Sequence, residues 1–166
     1  MKNLLMLLAF LTITAIAKTQ TLPDYESIKL EVKSDYNENA NNAALQAANH
    51  LLGTPLEKDD IARLRSAQYL IKWMTGSPDY TFALDEQATR FTKKNSDLLI
   101  LYMAAMSKYV LENKTDAADA VKVKINSLKL IAQYAKDPKN KVKQTSELKK
   151  LIEADEKGEL NAYLKL

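Results

Sequence analysis

Cysteine is absent from this chain. No disulfide can form, an oxidising compartment poses no hazard to the fold, and the lipid-modified N-terminal cysteine of bacterial lipoproteins is excluded. Cysteine nucleophiles go with it. Histidine occurs once, as His50, so a Ser-His-Asp triad would have to be built around that residue. A zinc site, which takes several His or Cys ligands, has too few to draw on. His50 stands among Ala47, Ala48, Leu51 and Leu52, where an imidazole is expected to pack or meet solvent rather than serve as a general base. Glycine loops of the phosphate-binding kind are missing as well.

Carboxylates alone can hydrolyse glycosides if two of them face one another across a cleft. No such pair stands out in the sequence. Asp59 with Asp60, and Asp85 with Glu86, fall where helix starts favour negative charge. Glu153, Asp155, Glu156 and Glu159 surround Gly158, but without the alternating oxygen ligands of a calcium loop they read as a solvated acidic face. The expectation is a non-enzyme, with no catalytic residue, no metal site and no cofactor.

Glycine and proline are scarce too, at three and four residues, which leaves few points where a helix must stop. The apolar periodicity predicts an all-α fold: a single domain over residues 18–166, of about six to eight helices packed as antiparallel hairpins, either an irregular bundle or one like tetratricopeptide repeats. From Ser34, a plausible N-cap, a helix carries Ala43, Ala44, Ala47, Ala48, Leu51 and Leu52, with Asn37 to Asn42 as a possible break. Gly53 is expected to end it in the left-handed conformation, and Pro55 forbids its continuation. The next helix opens at Asp59-Asp60, buries Ile61, Leu64, Ala67, Leu70, Ile71 and Met74, and closes at Gly76 and Pro78.

A shorter helix covers Leu84 to Lys93, and Asn95 or Ser96 caps the most apolar stretch of the mature chain, Leu98 to Leu111. A helix apolar around most of its circumference must be enclosed, so this one is expected at the centre. The longest helix should run from Asp116 to Lys136 on a stripe of Val121, Ile125, Leu128, Ala132 and Ala135. After it come a helix with Leu148, Leu151 and Ile152, then Gly158 and a terminal turn whose Leu160, Tyr163 and Leu164 dock on the core. Period-two alternation at Ile28-Leu30-Val32 and at Tyr80-Phe82-Leu84 allows a short strand pair, but two isolated strands rarely make a sheet in water. Extended lead-ins to helices are the favoured reading.

Residues 1–17 read as a secretory signal peptide. Lys2 supplies the positive start, Leu4 to Ile16 the apolar stretch, and Ala15-Ile16-Ala17 the small-x-small cleavage site. The apolar stretch is shorter than the roughly 20 residues that cross a bilayer, so no transmembrane anchor is expected after cleavage. Removing the leader takes away Lys2 alone among the charged residues and leaves a nearly neutral chain. A periplasmic or secreted protein follows.

Three stretches, Asp35-Tyr36, Ala47-Ala48-Asn49-His50-Leu51-Leu52 and Trp73-Met74-Thr75-Gly76-Ser77-Pro78-Asp79-Tyr80, give the chain a further character. In them it resembles small exported all-helical bacterial envelope proteins that carry no assigned activity. The resemblance implies a helical fold and an envelope location, and no chemistry.

Two contact surfaces suggest themselves. Trp73 and Tyr80 bracket the turn Thr75 to Tyr80, and such rings suit interfaces when they do not simply staple a helix end to its neighbour. Between Lys136 and Lys150, six lysines including Lys139, Lys141 and Lys143 stand against Asp137 and Glu147. Export and the lack of arginine there argue against nucleic acid, which leaves an envelope protein or an anionic surface component as partner, or else a mobile solvated linker. The function expected is non-enzymatic binding of such a partner. The alternative is a carrier of a small apolar ligand in a cavity beside the 98–111 helix, lined by Tyr102, Met103, Met106 and Tyr109.

Overall fold

The computed structural model describes residues 21–166; the signal-peptide reading of residues 1–17 lies outside that range. Within it the helices are α1 (Glu38–Gly53), α2 (Ile61–Gly76), α3 (Glu86–Thr89), α4 (Asp97–Glu112), α5 (Ala120–Lys136), α6 (Ser146–Lys157) and α7 (Leu160–Leu164). No strand occurs among the described residues. The fold is an all-α bundle in one packed unit. Residues 28–32 and 80–84 are the lead-ins to helices that their sequence also allowed.

Short polar side chains start these helices, because an N-cap oxygen can accept an amide N–H that has no partner within the helix. Asn37 accepts from the Ala40 N–H at 3.2 Å, Asp60 from Arg63 at 3.0 Å, Asp85 from Ala88 at 2.8 Å and Thr145 from Leu148 at 3.2 Å. The cap of α1 is thus Asn37 and not Ser34, and the polar run after it belongs to the helix. Asp119 caps α5, which begins later than Asp116, and Asn95 accepts from the Asp97 N–H at 3.1 Å ahead of α4.

Helix ends depart further from expectation. Of the three glycines only Gly158 is left-handed, at φ 71°; it closes α6 as the Glu159 N–H reaches the Ala154 carbonyl at 2.7 Å. Gly53 and Gly76 are ordinary helical residues, contrary to the C-cap role their position suggests. Their surroundings separate them. A Cβ on Gly53 meets nothing within 4 Å, whereas one on Gly76 would lie 1.8 Å from Tyr36 Oη and 2.6 Å from its Cζ. Gly53→Ala should therefore stabilise the protein by about 0.4–1 kcal/mol by restricting the unfolded chain. Gly76→Ala should destabilise it by about 1–3 kcal/mol through overpacking. Urea unfolding of the two variants should move the midpoint in opposite directions, and a stabilised Gly76→Ala protein would mean that the half-buried Tyr36 ring swings aside at little cost.

Packing follows side-chain size. The face of α1 made of Ala40, Ala43, Ala44, Ala47 and Ala48 is completely buried or nearly so, and small side chains let neighbouring helices come close. Both α2 and α4 pack on α1 while meeting each other only lightly; α5 covers the far side of α4, and α6 and α7 cover α5. As its apolarity requires, α4 is the enclosed element: Leu98, Leu101, Tyr102, Ala104, Ala105 and Val110 are fully buried. In α5 the expected Leu128, Ala132 and Ala135 are inside, but Val121 is exposed and Val123, Ile131 and Tyr134 complete the buried face. The terminal turn docks as expected, with the Arg90 guanidinium 3.7 Å above the Tyr163 ring and Nη2 donating to the Tyr163 carbonyl at 2.6 Å.

Most altered is α2. Ile61 and Leu64, expected inside, are 60% and 53% exposed, and Ile71 is exposed as well. The buried face is instead Arg63, Ser66, Tyr69, Leu70, Trp73 and Met74. Of the expected positions Leu70 and Met74 are buried, and Ala67 is half-buried against the core. Polar atoms on the other members find acceptors in neighbouring elements: Tyr69 Oη donates to the Ala40 carbonyl at 3.0 Å and Trp73 Nε1 to Asn41 Oδ1 at 2.9 Å. Those bonds make the mixed face burial-competent, and the purely apolar stripe is left to solvent.

Candidate functional site

The light contact between α2 and α4 leaves a cleft of about 590 Å³. Leu64 and Ala67 of α2 form one wall, Asp97 and Ile100 of α4 with Asn95 the other, and Leu51 of α1 lies at the bottom. One end is closed by two loops that fold onto each other. Leu56 N–H donates to the Asn140 carbonyl at 3.1 Å, Tyr134 Oη donates to the Thr54 carbonyl at 2.7 Å, and Lys141 pairs with Glu57. The Lys136–Lys150 region is therefore pinned to the body of the protein at this point, which corrects the alternative of a mobile linker.

Charge at the cleft is unevenly committed. Glu57 is taken by Lys141, and Asp60 is occupied as the cap of α2. Asp97 lies in the first turn of α4, where its charge meets the helix dipole. Lys58, Lys94 and Lys143 line the same cleft and make no ion pair with a carboxylate among the described residues. Lys141 is held at φ 55° and ψ 29°, a left-handed conformation that disfavours any residue with a Cβ by roughly 1–2 kcal/mol. Strain kept at a lysine where glycine would fit is the kind of local violation that collects at functional positions.

Arg63 holds the cleft's inner corner. Its side chain is only 7% exposed, and Nη1 donates to the Leu51 carbonyl at 2.8 Å, to the Thr54 carbonyl at 2.8 Å and to Thr54 Oγ1 at 2.7 Å. The Thr54 hydroxyl in turn donates to the His50 carbonyl at 2.7 Å. The C-terminus of α1 is thus capped by a cation delivered from α2, which the helix dipole favours. Beside it, burial holds the His50 imidazole below its usual pKa and the nearby Arg63 charge adds to this, while Asp60 pulls the other way. The ring is half-buried at the end of α1, and its Nε2 has no hydrogen-bond partner among the described residues.

Compared with protein-family profiles, curated proteins and solved structures, the chain finds no match.

The residues singled out from sequence separate into two places. Trp73 is completely buried, with ring centroids 5.7 Å from Tyr80 and 5.8 Å from Phe82. It staples the end of α2 to the 80–84 segment and offers no surface to a partner; Tyr80 is half-buried against it. Lys141 and Lys143 do meet at one site, the α2–α4 cleft, whereas Lys139 is exposed on the same turn and lines none of the four main clefts. Tyr102 and Met106 are buried in the core, where Phe91 meets Tyr102 edge to face at 5.9 Å. The α2–α4 cleft touches the 98–111 helix at Ile100, but none of the four clefts is lined by Tyr102, Met103, Met106 or Tyr109, the residues from which a carrier cavity was expected. Of the apolar stripe read along α2, Leu64 and Ala67 line the cleft, but the same spacing marks a buried face, and the two cannot be told apart along one helix.

Proposed function

We propose that this is an exported, non-enzymatic helical protein of the cell envelope, periplasmic or secreted, that binds a protein or an anionic surface partner. Lys141 and Lys143 carry the reading: together with Lys58 and Lys94 they rim a cleft whose walls are largely apolar and whose nearby carboxylates Glu57 and Asp60 are already engaged. An acidic pair free to act as acid and base is not what this lining offers, whereas an anionic partner is met by unpaired cations and by apolar area at once. Export rests on the leader read in residues 1–17 and on the resemblance in Asp35-Tyr36, residues 47–52 and residues 73–80.

Capture from envelope extract tests it. The purified protein should retain a component that is lost, or weakened at least about tenfold, when Lys139, Lys141 and Lys143 are all changed to Glu. The same preparation should begin at Lys18 on N-terminal sequencing. Equal capture by the variant, no capture at any salt concentration, or cytosolic material beginning at Met1 would each overturn the reading.

A further inference from the structure

The apolar stripe on α2 that faces solvent is continuous with the wall of the α2–α4 cleft. Ile61 and Leu64 lie on it, with Ala67 below and Ile100 of α4 opposite. We propose that this cleft seats one amphipathic α-helix of a partner protein. Its apolar side rests on Leu56, Leu64, Ala67 and Ile100, and its acidic flank meets Lys58, Lys94 and Lys143. The inference rests on the binding reading above and names the partner's chemistry.

The choice of occupant follows from charge and shape. A second copy of this chain, docked by a two-fold axis, would bring the same patch against itself, and because Lys58, Arg63, Lys94, Lys141 and Lys143 outnumber Glu57, Asp60 and Asp97 there, the two faces would repel on balance. Around α6, Glu153 pairs with Lys157 and Glu156 with Lys136, which leaves only Asp155 and Glu159 of that acidic cluster without an ion pair among the described residues, too few to match the cations of the cleft in a head-to-tail contact. An anionic bilayer presents a broad negative surface, yet Glu57, Asp60 and Asp97 stand among the cations here and would be pressed against it. A peptide can instead place its carboxylates opposite the lysines one at a time. A small amphiphile is ordinarily enclosed over most of its surface, whereas this cleft lies open along one side, as a groove that receives a helix does.

Fluorescence anisotropy with designed peptides of about 18 residues, five helical turns, tests the proposal. One peptide carries leucines at helical spacing with glutamate flanks; a second carries the same leucines with lysine flanks. The glutamate peptide should bind, weaken with rising salt, and bind at least about tenfold more tightly than the lysine peptide. Leu64→Asp and Lys94→Glu, both at surface positions outside the 139–143 stretch, should each weaken it several-fold with the thermal midpoint unchanged.

Equal affinity for both peptides, or binding that ignores both substitutions, overturns the proposal. So does co-sedimentation with phosphatidylglycerol vesicles in place of peptide binding, or a dimer in sedimentation velocity that Leu64→Asp dissolves. If envelope capture is lost with the triple lysine variant but survives Leu64→Asp and Lys94→Glu, the helix seat falls and the wider reading stands. Peptide binding without any envelope capture is the reverse case.

Discussion

Arg63→Met should destabilise the protein by about 2–4 kcal/mol, because charge-assisted hydrogen bonds contribute about 1.5–3 kcal/mol each and the two N–H groups of Nη1 serve three acceptors, so that one bond is shared. The Leu51 carbonyl is lost outright as a bonded group, since Leu51 is 1% exposed and the cap comes from Arg63 alone. The Thr54 carbonyl keeps the Tyr134 hydroxyl, which holds the loss below a full sum. Return of the guanidinium to water in the wild-type unfolded state offsets part of it too. Lysine at this position is a poor substitute: its stem is shorter and its ammonium is more strongly hydrated than a guanidinium, so it costs more to bury, and Arg63→Lys should recover less than half of the loss. Urea unfolding followed by circular dichroism reads both values, and a midpoint for Arg63→Met within about 0.5 kcal/mol of wild type, the range of an ordinary surface change, would remove the capping role.

Loss of the Trp73 ring should be larger still. Trp73 is the largest fully buried side chain and packs against Tyr80 and Phe82. Truncation of such a residue to alanine lowers stability by about 3–5 kcal/mol through lost burial and the cavity left behind. Tilted ring contacts of this kind add about 0.5–1.5 kcal/mol beyond area, which places Trp73→Ala at the upper end of that range. A marginal domain could be unfolded by it, so Trp73→Phe supplies the measurable companion. Phenylalanine keeps a ring against Tyr80 and Phe82 and loses the bond to Asn41 Oδ1; Asn41 is half-buried and can turn to water, so a loss of about 1–2 kcal/mol is expected. Because Trp73 is the only tryptophan, emission in the wild type reports on this one site, where α2 meets α1 and the 80–84 segment. An emission maximum typical of a solvated indole in the native protein would contradict its burial.

The two residues sit on the same face of α2, and that face is where sequence and structure part. Elsewhere the reading carried well. The apolar circumference of α4 announced its central place, Asp60 and Asp85 marked helix starts that they do cap, and Leu160, Tyr163 and Leu164 dock as their spacing implied. The basic stretch was visible as composition, and Lys141 and Lys143 within it do come to a cleft. What composition could not supply was the other half of that site: Leu64 and Ala67 from α2, Lys94 from the turn that precedes α4, and Ile100 from α4. These residues are far from 141 in sequence and share no pattern with it.

Local chemistry thus determined which stretches become helices and where most of them begin, since capping and the periodicity of apolar side chains act within a few residues. Tertiary structure alone decided which side of α2 turns inward. Arg63, Tyr69 and Trp73 can be buried only because the Leu51 carbonyl, the Ala40 carbonyl and the Asn41 amide arrive from α1 at hydrogen-bonding distance. Burying such groups unpaired would be prohibitive. Their acceptors exist only once two helices have met, and the same meeting leaves Ile61 and Leu64 outside.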